Sequence, residues 1–261
     1  MESKDMLQLE ISYLLNLIKP LPKGWIGEAN NRETVFIYSD PDDPTVSRTR
    51  RKQYYTDSKN GAYYKPKINK YIMAVQEYKK LMCKWKQTYA GKPKIIDFPI
   101  NPQIITGIPS SFFNKAVPNQ NPHPIKYPID YKGQILRSKN ELLAIQTIES
   151  MGFEWKTEVA IRTENDAFFP DAIFNVPYIQ KAIALEIDGM MDDQSYFDKA
   201  QNRKDRYIDA GFQELKDIII FRPKNRYDFD AASLKRLIEV TIDINASEII
   251  SRMNSVFPCT V

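Results

Sequence analysis

Four acidic side chains fall in the middle or at the end of strand-like runs: Glu158 in FEWKTEVAIR, Asp171 in AFFPDAIFNV, and Glu186 and Asp188 in KAIALEID. An ionised carboxylate among residues such as Phe169, Ile173, Leu185 and Ile187 is costly unless it is paired or binds a cation. Side chains two apart on a strand project from one face, so Glu186 and Asp188 point the same way. Several converging oxygens suit a hard divalent cation, Mg2+ or Mn2+, which also takes a backbone carbonyl and waters. Each acid has a plain structural reading beside this one. Asp171 after a proline starts a turn, and Asp188 before Gly189 caps a strand end.

The rest of the composition narrows the chemistry. The only histidine, His123, lies in NPHPIKYP, where prolines disfavour helix and strand. Two-histidine zinc enzymes and histidine-pair ribonucleases are therefore excluded, and a hydrolase triad built on His123 is disfavoured. Cys83 and Cys259 stand far apart without partners, which removes thiolate zinc sites and a disulfide framework. What remains is carboxylates, lysines, hydroxyls and a hard metal ion. With 261 residues, 43% hydrophobic and 27% charged, the chain is of ordinary globular composition. No apolar run approaches the roughly 18 residues of a membrane span. The N-terminus MESKDMLQLE lacks a signal-peptide pattern, so the expectation is a cytoplasmic protein with no membrane partner.

The acids need elements to position them, and the pattern from residue 136 onward supplies these. SKNELLAIQTIESMG reads as a helix capped by Ser138, with Glu141 three residues on as its capping-box partner and Gly152 as its stop. FEWKTEVAIR, AFFPDAIFNV and KAIALEID follow as three strands. QSYFDKAQNRKDRYIDAGF is an amphipathic helix ending at Gly211, and LKDIIIFRP is a buried strand closed by Pro223. The order αβββαβ predicts a mixed α/β sandwich. Residues 231–253 add one or two helical segments without an assigned role.

The first part of the chain differs. A helix runs from Met6 to Ile18 until Pro20 and Pro22 stop it, and TVFIY (34–38) and RKQYYT (51–56) predict an exposed hairpin. After Pro66, apolar residues from Ile68 to Tyr89 recur three or four apart, which marks a long helix whose aromatic stripe is core against the first helix. Residues 48–94 hold 14 Lys/Arg and only two acids, whereas 136–261 hold 16 basic and 21 acidic residues. A basic arm on an acidic domain is the arrangement expected if one part attracts phosphate and the other gathers carboxylates around cations. Eight prolines between Pro93 and Pro128 predict a surface connection. The expected domains are thus 1–92, a linker over 93–135, and 136–261.

A proline-aspartate on the second strand, then 14 intervening residues, then acid-x-acid on the third strand, within αβββαβ, resembles the PD-(D/E)XK nuclease superfamily with its restriction-endonuclease-like fold. RSKNE (137–141), MGFEWKTE, FPD and GMMDDQSYFDKA (189–200) resemble a group of bacterial proteins within it. In that group a helical and hairpin region with a KNGAYYKPK-like segment also precedes the nuclease domain. The resemblance implies that Asp171 and Glu186 are metal ligands, with the Ile187 carbonyl as a third. It implies that Glu141 holds a second metal or a bridging water, or is only a cap, and that Glu158 completes the cluster, contacts water or is only structural. The chain departs from the pattern at the motif lysine, where Asp188 stands. Lys199, or Lys156 on the first strand, would have to supply that cation from another direction.

The expected activity is hydrolysis of phosphodiester bonds in nucleic acid, DNA rather than RNA, by a Mg2+- or Mn2+-dependent endonuclease. Lys199 or Asp188 would position the nucleophile. Arg50, Arg51, Lys52, Lys65, Lys67 and Lys70 would hold the polyanion backbone without reading sequence. Two alternatives compete: a non-cleaving nucleic-acid-binding module, and a protein-interaction component of a larger assembly. By analogy with the superfamily, a homodimer or a defence or mobile-element assembly is the expected setting.

Overall fold

The computed structural model describes residues 3–163, 166–189, 194–223 and 228–256. The chain is mixed α/β and divides into two compact units, Leu7–Phe98 and Pro99–Val261 together with the first six residues.

In the first unit, α1 (Lys4–Ile18) precedes three antiparallel strands, β1 (Lys23–Ala29), β2 (Arg32–Ser39) and β3 (Lys52–Tyr55), and α2 (Lys59–Thr88) follows. The sheet order is β1-β2-β3, so the expected hairpin of 34–38 and 51–56 is two-thirds of a sheet. Its missed strand is closed by Asn30 and Asn31, both at positive φ (52° and 59°), the backbone a two-residue hairpin turn requires. The long helix begins at Lys59 rather than after Pro66. Ser58 caps it by accepting the Gly61 N–H at 3.1 Å, which fixes the first turn before the proline is reached. Gly61 is required there, because a Cβ would lie 1.9 Å from the Tyr55 carbonyl oxygen. The apolar face of α2 serves two partners. Ile68, Tyr64 and Ile72 pack on Val35 and Ile37 of the sheet, whereas Ala74, Leu81 and Trp85 pack on Leu7, Ile11 and Leu14 of α1.

In the second unit the stretch expected to be a linker is built into the fold from Pro99 on. It carries β4 (Ile108–Pro109), α3 (Ser110–Lys115), and a hairpin of β5 (Ile129–Tyr131) and β6 (Gln134–Leu136). β4 pairs with a central strand, and Ile108 and Phe113 are buried in the core, so hydrophobic anchoring overrides the local effect of the prolines. Next come α4 (Lys139–Ser150), β7 (Glu154–Thr157), β8 (Ile161–Arg162), β9 (Ala167–Phe168), β10 (Ala172–Val176), β11 (Lys181–Ile187), α5 (Gln194–Asp209), β12 (Ile218–Phe221) and α6 (Ala231–Val256).

The main sheet runs β12-β11-β10-β7, with β11 parallel to β12 and the other pairs antiparallel. Two expected strands are each broken in two. Glu158 adopts a left-handed φ of 45° and ends β7, while Pro170, which has no N–H to donate, separates β9 from β10. The fragments β8 and β9 pair with each other as a separate ribbon. All seven residues of β11 are buried. On one of its faces Ala182 and Ala184 pack with Ile173, Ile218 and Tyr207 of α5. α6 is a single helix, and Leu234, Ile238, Ile242, Ala246 and Ile249 form its buried stripe.

Candidate active site

β10 and β11 are registered so that Ala172 faces Leu185. One step further along that register sets Asp171, just ahead of β10, opposite Glu186. Asp171 reaches across to β11, where its Oδ2 accepts the Ile187 N–H at 2.7 Å. Glu186 is 3% exposed and Asp188 1%. The two acids share a face, since both meet the Arg203 guanidinium, Glu186 at 3.5 Å and Asp188 in a closer ion pair.

Glu141 and Glu158 join this group. Glu141 does cap α4: Ser138 accepts its N–H, and its carboxylate accepts the Ser138 hydroxyl at 3.0 Å and the Arg137 N–H at 2.7 Å. It also senses Asp171. Burial first, and then repulsion from Asp171, push Glu141 up to about 8. Glu158 is turned inward by the same left-handed backbone that ends β7. There it accepts from Asn121 at 2.8 Å and pairs with Arg137.

The electrostatics are those of an under-compensated anionic centre. Burial, followed by repulsion from Asp171, pushes Glu186 up to about 8. Asp171 is raised to about 6, again chiefly by burial, against the lowering pull of its Ile187 hydrogen bond and of Arg203. Burial of Arg203 disfavours its charge, but Glu186, Asp171 and Asp188 outweigh that and raise its pKa. Tyr207 donates its hydroxyl to Glu186 at 2.6 Å, and burial and that carboxylate raise the phenol. Arg222 meets Asp188 at 3.4 Å.

The cation that meets Glu186 and Asp188 comes from α5, and it is Arg203 rather than Lys199. Lys199 is exposed, with no ion pair to the acids among the described residues. Lys156 points elsewhere and donates to the carbonyls of Phe113 and Ala116 at the end of α3. Arg203 was legible in principle. Ala200 and Tyr207 are the buried residues of α5, and Arg203 lies three after one and four before the other, a charged side chain on the helix's inner face. Arg137 lies in the quoted RSKNE motif, yet only the turned backbone of Glu158 reveals its role. Met190 to Asp193, the centre of GMMDD, lie outside the described residues, as does Cys259. His123 is exposed, and its backbone carbonyl accepts from Arg137 while its N–H donates to Asn121.

Mg2+ or Mn2+ suits part of this arrangement. Asp171 and Glu186 are hard-oxygen donors whose charge Arg203 only partly offsets, so an added cation would relieve their repulsion. Among the described residues no group of three or more acids, histidines or cysteines is arranged so that it could hold a metal ion. Mg2+ is commonly held by one or two carboxylates with substrate phosphates rather than by an all-protein cage. A cleft of about 300 Å³ in the same unit, lined by Gly107, Phe112, Ile161 and Phe212, contains none of the five clustered acids.

The expected nucleic-acid contacts lie on the first unit and are unequal. Arg50, Arg51 and Lys70 are exposed. Lys52 is paired with Asp43, Lys65 with Glu33 at 2.6 Å, and Lys67 is bonded to the Tyr63 hydroxyl at 2.5 Å. Among the described residues, no helix is long and apolar enough to cross a membrane. Comparison with protein-family models, with curated proteins and with solved structures finds no match.

Proposed function

We propose that the Pro99–Val261 unit is a metal-dependent nuclease of the PD-(D/E)XK type. The observation that carries the reading is the approach of Asp171, just ahead of β10, to the Glu186–Ile187 end of β11, with both carboxyls held above the usual carboxylate range. The chain order α4, β7, β10, β11, α5, β12, with an antiparallel meander and a final parallel strand, agrees with the αβββαβ core of that superfamily. A carboxylate cluster left short of positive charge is a common property of catalytic sites.

In this reading Asp171 and Glu186, with the Ile187 carbonyl, would hold Mg2+ or Mn2+, which when bound would supply an acidified water and charge neutralisation at the phosphoryl group. Arg203 remains protonated and cannot act as a base. It orients Glu186 and Asp188 and offers its planar donors to a phosphate. Tyr207 fixes one oxygen of Glu186, leaving the other directed at Arg203. Glu141, close enough to feel Asp171, is the residue for a second cation or a bridging water. DNA is the substrate taken first, with the basic unit supplying backbone attraction that weakens with salt.

One observation favours a second reading. Arg203 already lies on Glu186 and Asp188, so the centre is partly self-neutralised, as in a nucleic-acid-binding module that no longer cleaves. The two separate cleanly. Purified protein is incubated with supercoiled plasmid, single-stranded DNA and RNA in Mg2+ or Mn2+, beside Asp171→Ala and Glu186→Ala. Cleavage by the unaltered chain alone supports the nuclease, and retained binding without cleavage in all three proteins supports the binder.

A further inference from the structure

The first unit carries a surface that the carboxylate centre does not explain. Alternation along the sheet directs Gly24, Ile26, Val35 and Ile37 towards α2, where a Cβ on Gly24 would meet Ile68 at 3.0 Å. The opposite face therefore carries Trp25 of β1, Arg32 and Phe36 of β2, and Tyr55 of β3, tied together by the pairs Trp25–Phe36 and Thr34–Tyr55. A Cβ added to Gly27 would touch the rings of both Trp25 and Phe36 at 3.6 Å, which places them on one face. The two rings stack at 4.9 Å and 9°. Trp25 is 37% exposed, whereas the other two tryptophans, Trp85 and Trp155, are buried at 1% and 9%.

Cations frame these rings. The Arg51 guanidinium lies 5.9 Å from the Trp25 ring, and Arg32 lies 4.2 Å over Tyr55 while pairing with Asp57. No outward-facing position of the three strands is acidic, and Glu33 falls on the α2 side, where it pairs with Lys65. The unit as a whole, Leu7–Phe98, holds 17 Lys/Arg against nine Asp/Glu. Flat rings exposed on a sheet and framed by arginines are complementary to a polyanion whose own flat faces are available. A duplex turns base edges to a protein, and only an unpaired strand offers base faces for stacking.

We propose that the outward face of β1-β2-β3 is a binding platform for unpaired nucleic acid, with bases stacking on Trp25 and Phe36 and phosphates held by Arg51. The platform is separate from the carboxylate centre and does not depend on the nuclease reading. Its test uses the full chain in EDTA, where metal-dependent cleavage is silent. Fluorescein-labelled oligo-dT, oligo-rU and a mixed-sequence duplex, each about 16 nucleotides long to cover a typical single-strand site, are titrated by anisotropy. Both unpaired oligonucleotides are expected to bind more tightly than the duplex and to quench tryptophan emission. Trp25→Ala is expected to remove the quenching and weaken binding about tenfold, within the range for loss of one base stack. Arg51→Gln, at an exposed loop residue with no fold-bearing contact, keeps the test valid should Trp25→Ala unfold, and is expected to weaken binding severalfold.

Unchanged affinity in Arg51→Gln and in a folded Trp25→Ala overturns the platform. So does tighter binding of the duplex, or no binding of any oligonucleotide. Loss of dT binding with rU retained, or the reverse, leaves the platform standing and names the sugar it accepts. Cleavage in Mn2+ is scored separately, so failure of the nuclease reading leaves the anisotropy result intact.

Discussion

Among the described residues of the Pro99–Val261 unit, each end of β11 holds a buried group of charges, and the two are built on opposite principles. At the start of the strand, Lys181 is 1% exposed, pairs with Asp217 at 2.7 Å and donates to Asn245 at 2.8 Å. Asp217 in turn accepts the Gln213 N–H, and Asn245 donates to the carbonyls of Lys216 and Thr241. Gly107, at φ 76°, lies so close that a Cβ would sit 1.9 Å from Asp217 Oδ1. One cation meets one anion, with Asp217 Oδ1 facing Lys181 and Oδ2 taking the Gln213 N–H. At the far end, Asp171, Glu186, Asp188 and Glu141 converge on fewer cations, and three of them are pushed up towards neutrality. The balanced cluster fastens the fold. The unbalanced one holds the fold at a disadvantage that a bound cation would remove.

The strongest way to break this contrast is to remove charges at each end. In the proposed nuclease, Asp171→Ala or Glu186→Ala is expected to reduce cleavage by at least about a hundredfold, measured on plasmid under Mn2+, since removal of a single electrostatic group from a catalytic site has that scale. Lys181→Met or Asp217→Ala should leave an uncompensated buried charge or polar group and lower stability by about 3–5 kcal/mol in urea unfolding. The double change Lys181→Met with Asp217→Leu should recover most of that loss. If Lys181→Met were neutral, the fastening role of the pair would be wrong.

The pH dependence distinguishes the ends more finely. Glu141 and Glu186 are raised from 4.5 to about 8, and Asp171 from 3.8 to about 6. A folded pKa above the unfolded one gives stability that is present at low pH and lost as pH rises through the folded value. Metal-free protein should therefore lose stability between about pH 4 and pH 8 at this centre, and Glu186→Gln should reduce the slope. Mn2+ should raise Tm more at pH 8 than at pH 5, and an equal rise at both would refute the coupling. Arg203→Gln sharpens the comparison further, because it should tighten Mn2+ binding by calorimetry while slowing cleavage about tenfold, the two roles of one guanidinium pulling apart. The smallest effect belongs to Lys199→Ala, expected within about 0.5 kcal/mol in stability because the residue is exposed and unpaired with the acids.

The amino-acid order alone determined much of this protein. The alternation and length of KAIALEID made a buried strand, Ser138 and Glu141 set a helix start, and Gly211 at φ 88° ended α5 where the apolar period stopped. Acids inside apolar runs marked Asp171, Glu186 and Asp188, because burying a charge is conspicuous in any single sequence. Local signals failed where distant contacts decided the outcome. Prolines between residues 99 and 135 disfavour regular structure, yet Ile108 and Phe113 are drawn into the core and bring β4 and α3 with them. Glu158 sits in a strand-like run, but its backbone turns to place the carboxylate beside Arg137. Lys199 and Arg203 differ by one helical turn, and only the packing of Tyr207 against the sheet determines which of them reaches the acids. Periodicity is a property of neighbouring residues, whereas charge compensation depends on which groups the folded chain brings within a few ångströms, and that selection was made by the tertiary structure.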